Sequence, residues 1–274
     1  MAQSSSRRER RQELLRKHPS CYFCGGANPA TEIDHVPPEA CFPDGYAPES
    51  FESPACKPCN EGTTRQDQIF GLYSMVLDFD ESKMRQPEHL KKVEKLKQGV
   101  INNYPEALAD ATKAIQLNRV GSLITPHPVA ISVPTTPLVK DAVQVMGRKL
   151  IHALYLREVG EILTPAHQFV SLAYQPQREG TQGLTELLTT QLPNAVRGKR
   201  PNITGRKYGD RFGYKFICKE DDDFFLYIAQ FGHGIVFWGI VCGPKMERPR
   251  SGPLGSAPWL SGGCGPGADY PHSD

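Results

Sequence analysis

No run of apolar residues in this chain approaches the ~20 needed to cross a bilayer, so a membrane-spanning helix is not expected. The basic N-terminus is followed by no apolar h-region, which argues against a secretory signal and for a cytoplasmic setting. There is no internal repeat. An excess of either charge is missing too: 32 Lys and Arg face 30 Asp and Glu, a formal +2 that points to no partner by itself. With 39% hydrophobic and 23% charged residues the composition is that of a soluble globular protein able to build a core. A chain of 274 residues accommodates one large domain or two small ones.

What is present is unevenly distributed. Residues 1–18 carry Arg7, Arg8, Arg10, Arg11, Arg16 and Lys17 against Glu9 and Glu13, with Leu14 and Leu15 the only large apolar residues after Met1. Such an arm is either attracted to phosphates or a solvated helix. Residues 19–64 are rich in Pro, Gly and Cys and too irregular for a conventional core, so this segment needs a staple.

The eight cysteines suggest what the staple is. In a reducing compartment they read as metal ligands or buried thiols rather than disulfides. Cys21, Cys24, Cys56 and Cys59 form two C-x-x-C pairs, each able to put two thiolates on one knuckle, with Gly25 and Gly26 easing the first turn. Four thiolates make a common structural zinc site. Cys41, Cys218, Cys242 and Cys264 stand unpaired in sequence; three of them have no neighbouring ligand candidates and read as inert thiols.

Between the pairs lies Thr31-Glu32-Ile33-Asp34-His35-Val36-Pro37-Pro38. Metal-assisted hydrolysis needs an oxygen ligand for the ion and a base for the attacking water. Asp34 suits the first task and His35 the second, although neighbours on a strand point to opposite faces unless a bulge intervenes. Asn60, directly after the second pair, either reaches into such a site or caps the helix that follows. Asp67, two turns further on, either supports that site or, as the favoured reading, is a solvated helical carboxylate.

The order Cys21-x-x-Cys24, Asp34-His35-x-Pro37, Cys56-x-x-Cys59-Asn60 resembles the zinc-bearing form of the HNH, or His-Me finger, endonucleases. The resemblance covers about 50 residues. It implies a ββα-metal unit, with His35 as general base and with Asp34 and Asn60 holding a catalytic Mg2+ or another divalent ion. That ion would be distinct from a structural Zn2+ on the four cysteines. The implied function is phosphodiester hydrolysis in nucleic acid, with DNA the expected substrate and no membrane partner. The alternative is a zinc-stabilised nucleic-acid-binding module with impaired catalysis. The family usually has an Asn about five residues before the second cysteine pair, whereas this chain has Glu49-Ser50-Phe51-Glu52-Ser53. Either Ser50 supplies the hydrogen bond, or packing of Phe51 braces the loop, or catalysis is weakened.

Beyond the motif, Ile69, Leu72, Tyr73, Val76 and Leu77 recur at helical spacing. Further helices are expected over 88–98, from Pro105, and over 139–158 with a stop at Gly160. Residues 121–138 read as a proline-rich linker. Phe212, Tyr214 and Phe216, then Phe225, Tyr227 and Phe231, then Val236, Trp238 and Ile240 alternate as in an antiparallel meander. The expected class is α+β. Its parts are an arm over 1–18, a ββα-metal module over 19–80, a helical region with a small antiparallel sheet over 81–247, and a disordered tail over 248–274.

Overall fold

Two short strands, β1 (Glu32–His35) and β2 (Glu52–Ala55), pair antiparallel with His35 opposite Glu52 and Asp34 opposite Ser53. This is seen in a computed structural model of the chain, which describes residues 2–42, 51–78, 87–108, 136–174, 196–197, 211–219, 224–232 and 234–244. Helix α1 (Ala2–Lys17) precedes the strands, and α2 (Lys57–Gly62) and α3 (Thr64–Leu77) follow them. Cys56 stands at the N-cap of α2 with Pro58 in its first turn, where a missing N–H costs nothing. The break at Thr63 separates the short helix carrying Cys59 and Asn60 from the longer one carrying Asp67.

Helix α4 (Pro87–Asn103) matches the expected element and extends it. From Pro105 only a single 3-10 turn, Pro105–Ala107, is described where a helix was expected. Most of the proline-rich stretch and the expected disordered tail over 248–274 lie outside the described residues. Helix α5 (Pro137–Val159) begins at Thr136, whose side chain accepts from the Val139 N–H, and ends at Gly160 with φ 88°. It is the longest described helix and the one that joins the two halves of the molecule.

A five-stranded antiparallel sheet supplies the rest: β3 (Gln168–Tyr174), β4 (Val196–Arg197), β5 (Phe212–Lys219), β6 (Phe224–Phe231) and β7 (Ile235–Cys242), in the order β3-β7-β6-β5-β4. Its inner face follows from the register. Phe212 and Tyr214 oppose Phe231 and Ala229. Phe225, Tyr227, Ala229 and Phe231 in turn oppose Val241, Gly239, Phe237 and Ile235. On β7 the expected run was Val236, Trp238 and Ile240; Trp238 and Ile240 are half-buried, and the residues opposite the inner face of β6 are Ile235, Phe237, Gly239 and Val241. Because strand periodicity is two, the alternate residues of one strand occupy opposite faces. β7 is apolar on both sides, so its alternation carried no signal.

Glycine at 239 has a steric reason: a Cβ there would stand 2.5 Å from the Tyr227 ring and 3.0 Å from Ile151 of α5. One cluster of buried side chains runs from Cys21 and Tyr22 through Phe70, Met146, Leu150 and Leu154 to Phe237 and Val241. Helix α5 is thus packed on the sheet while its other side reaches the cysteine-rich segment.

Candidate metal centre and the two faces of strand β1

The four sulfurs of Cys21, Cys24, Cys56 and Cys59 lie within 4.8 Å of one another, a set that can hold a metal ion such as zinc. The first knuckle is closed by Gly26 N–H donating to the Cys21 carbonyl at 3.0 Å, with Gly25 and Gly26 at φ 64° and 83°. In the second, Asn60 N–H donates to the Cys56 carbonyl at 3.0 Å. A hydrogen bond from Cys59 holds the Cys21 thiol down to about 4, while the same contact pushes Cys59 up.

Asp34 and His35, adjacent in sequence, leave β1 on opposite faces. On the inner face, Asp34 is buried and accepts from the Tyr22 hydroxyl at 2.7 Å. The fully buried ammonium of Lys149 on α5 lies 2.9 Å from one Asp34 oxygen and donates to the other at 3.1 Å. The same ammonium donates to the two oxygens of Asp67 at 2.8 and 3.0 Å and to the Thr63 hydroxyl at 3.3 Å. Asp67 is therefore not the solvated carboxylate expected of it; its side chain is 16% exposed and ion-paired.

Two carboxylates around one buried ammonium leave an excess negative charge that low-dielectric surroundings disfavour. Burial first, then the Asp34 charge, pushes the Asp67 carboxyl up to about 7, against the pull of Lys149. Burial opposes the Lys149 charge, but the two aspartates outweigh it and hold its pKa above the ordinary value. Next to this triad, the His152 Nδ1–H donates to the Tyr22 carbonyl at 3.0 Å, and burial pulls the imidazole down to about 4. Tyr22 and Thr63 tie the triad to the sulfur cluster: Tyr22 sits in the first knuckle, and the Thr63 hydroxyl donates to the Cys59 carbonyl at 3.1 Å.

On the outer face, His35 Nε2 is buried and makes no hydrogen bond; it faces Glu52 at 3.6 Å and Glu39 at 3.8 Å. Burial lowers its pKa, with Glu39 and Glu52 pulling the other way, so the imidazole is neutral at pH 7. Arg11 Nε of α1 donates to Glu52 at 3.1 Å and Arg10 Nε lies 3.7 Å from the second Glu52 oxygen.

The three residues expected to form a reactive centre are not brought together. Asp34 is held by Tyr22 and Lys149, Asn60 donates to Glu32 at 2.8 Å, and His35 lies across the strand from both. Both Asp34 oxygens are already engaged by Tyr22 and Lys149, so the arrangement does not fit a divalent ion at Asp34. The loop that Phe51 was expected to brace, residues 43–50, lies outside the described residues. Phe51 itself is buried edge-on against Phe212 at 5.2 Å, with the Arg157 guanidinium 5.0 Å over its ring. Ser50 lies outside the described residues.

Of the basic arm, Arg10 and Arg11 are turned to Glu52, Arg16 pairs with Glu13 at 2.7 Å, and Arg8 and Lys17 are exposed; the Arg7 side chain lies outside the described residues. Sequence reasoning missed Lys149, Glu52 and Glu32. Lys149 carried little signal, because it stands beside Arg148 in a basic pair between Met146 and Leu150 and nothing local says which of the two turns inward.

No family model matches the chain, and neither a curated protein nor a solved structure is significantly similar to it. Among the described residues no helix is long and apolar enough to cross a membrane.

Proposed function

We propose that the chain is a Zn2+-stapled, HNH-like module that binds nucleic acid, DNA foremost, without a divalent-ion centre at Asp34. The observation that carries this reading is the Lys149 ammonium bridging Asp34, Asp67 and Thr63, where the family resemblance calls for a divalent ion. Withdrawing one partner from a buried ion pair costs about 3–5 kcal/mol, so the carboxylates do not exchange Lys149 for a weakly held ion at small expense. The four clustered sulfurs support the Zn2+ staple, and the order of motifs together with exposed Arg8 and Lys17 supports a polyanionic partner.

A second reading, the metal-dependent endonuclease, is favoured by one specific feature: His35 is neutral and its buried Nε2 makes no hydrogen bond. It requires Lys149 to leave Asp34. Purified zinc-loaded protein, incubated with plasmid and Mg2+ or Mn2+ beside a His35→Ala control, separates the two. The binding module gives a salt-sensitive mobility shift and the same background nicking in both proteins. Nicking that the substitution lowers by about 100-fold or more, the range of a general base, would establish the endonuclease instead.

A further inference from the structure

Glu52 is an unusual place for a carboxylate. It lies across the strand pair from His35, its side chain is 2% exposed, and it is met by Arg10 and Arg11 of α1, whose side chains are 39% and 36% exposed overall although Arg10 Nε and Nη2 are themselves buried. Helix α1 places no described side chain in the buried core. Its attachment at this point is therefore ionic rather than apolar, and ionic contacts with half-exposed arginines weaken with salt and competing anions. A guanidinium fork that fits a carboxylate also fits a phosphodiester.

We propose that Glu52 is an internal stand-in for a backbone phosphate, holding Arg10 and Arg11 over His35 until a nucleic acid takes the two guanidiniums. This rests on the nucleic-acid reading above and adds how that surface is regulated. In the free protein the pair Arg11–Glu52 and its neighbour Arg10 close the outer face of β1. When phosphates draw the two arginines away, α1 swings from Glu52 and the imidazole of His35 is uncovered beside Glu39. Exposed Arg8, one turn before Arg11 on α1, extends the same phosphate-binding row. Binding and uncovering are then a single linked equilibrium, and the closed population lowers the apparent affinity.

The test uses full-length, zinc-loaded protein with a short fluorescent DNA duplex of arbitrary sequence. Anisotropy is read across added salt, and diethyl pyrocarbonate labelling of His35 is read by peptide mass with and without the duplex. Wild type binds, and duplex raises His35 labelling. Glu52→Gln removes the competing charge, so it binds about fivefold tighter, the scale of one released ion pair, and its His35 is labelled without duplex. The Arg10→Ala/Arg11→Ala double variant also exposes His35 but binds more weakly, its log–log salt slope shallower by about 1.8 for two lost contacts. If Glu52→Gln fails to fold, the double variant decides alone. The proposal is overturned if either variant leaves His35 as protected as in wild type, or if affinity does not move in these opposite directions. A wild-type protein that binds no duplex even at low salt would defeat the nucleic-acid reading itself, whereas binding with unaltered His35 protection would defeat only the role of Glu52.

Discussion

The knuckle segment and the five-stranded sheet meet on the same helix, yet they are held by different physics. The first, around Cys21–Ala30 and β1–β2, is short of apolar mass and closes around four sulfurs. The second closes around rings: Phe212, Phe225, Tyr227, Phe231 and Phe237 stack or meet edge-on at centroid separations such as 4.9 Å for Phe212–Phe231. A staple is all-or-none, while a packed aromatic core loses stability in increments. Helix α5 is where the two regimes join, through Lys149 and His152 on one side and Ile151 near Gly239 on the other.

The largest effect expected is at the staple. Structural zinc in small domains carries apparent binding energies of about 10–16 kcal/mol, so Cys56→Ser should abolish stoichiometric zinc by elemental analysis. Hydrogen exchange should then speed up across residues 19–62 while β5–β7 remain protected. Loss of protection in both regions together would show that the sheet does not stand without the staple.

At the junction, Lys149→Met should cost about 3–5 kcal/mol in denaturant unfolding because it strands two buried carboxylates. The cost should grow as pH rises past the Asp67 pKa of about 7, since the variant must then hold both charges unpaired. In the sheet, Phe237→Ala should cost a similar ~3–5 kcal/mol but with no such pH dependence. Equal pH profiles for the two variants would break the distinction between a charged and an apolar junction.

Two titrations oppose each other in the wild type. His152 has a folded pKa of about 4, below its ordinary 6.5, so its contribution is present above 6.5 and is lost as pH falls towards 4. Asp67 is raised from 3.8 to about 7, so its contribution is present below 3.8 and is lost as pH rises towards 7. The slopes cancel across the overlap. His152→Phe should make the variant gain stability, relative to wild type, by up to about 1.4 kcal/mol per pH unit as pH falls through that window. Asp67→Asn should lose stability with the same magnitude and opposite sign. Parallel slopes in the two variants would refute the assignment.

The smallest contrast lies between two glycines. Gly160→Ala meets nothing within 4 Å and should cost only the ~1 kcal/mol of a left-handed Cβ. Gly25→Ala carries that strain and also places a Cβ 2.8 Å from the Leu163 carbonyl, so it should cost more and lower zinc retention. Equal melting temperatures would mean that the knuckle yields where the geometry says it is tight.

Much of this was legible beforehand because it is local. Two C-x-x-C spacings announced a sulfur cluster, helical spacing placed α3 and α5, Gly160 marked a stop, and alternating rings marked β5 and β6. Strand β3 went unnoticed because Gln168–Tyr174 is a short segment with few turn signals before it. The contents of the site were harder still. That Asp34 meets Lys149 rather than a site open to an ion depends on a contact 115 residues away, and no spacing rule reaches that far. Glu52 stood in plain sight in the stretch where an Asn was missed, but only strand register puts it opposite His35.

The separation between Lys149 and its two aspartates also has a consequence in time. Asp34 and Asp67 precede it by 115 and 82 residues, and a ribosome adding about 5–20 residues per second delivers them seconds before their counter-ion exists. During that interval the nascent segment can gather its sulfurs, but its two acids must stay hydrated or protonated. The knuckles therefore ripen early, and the surface that will receive α5 waits, acidic and unlatched, until Lys149 arrives to close it.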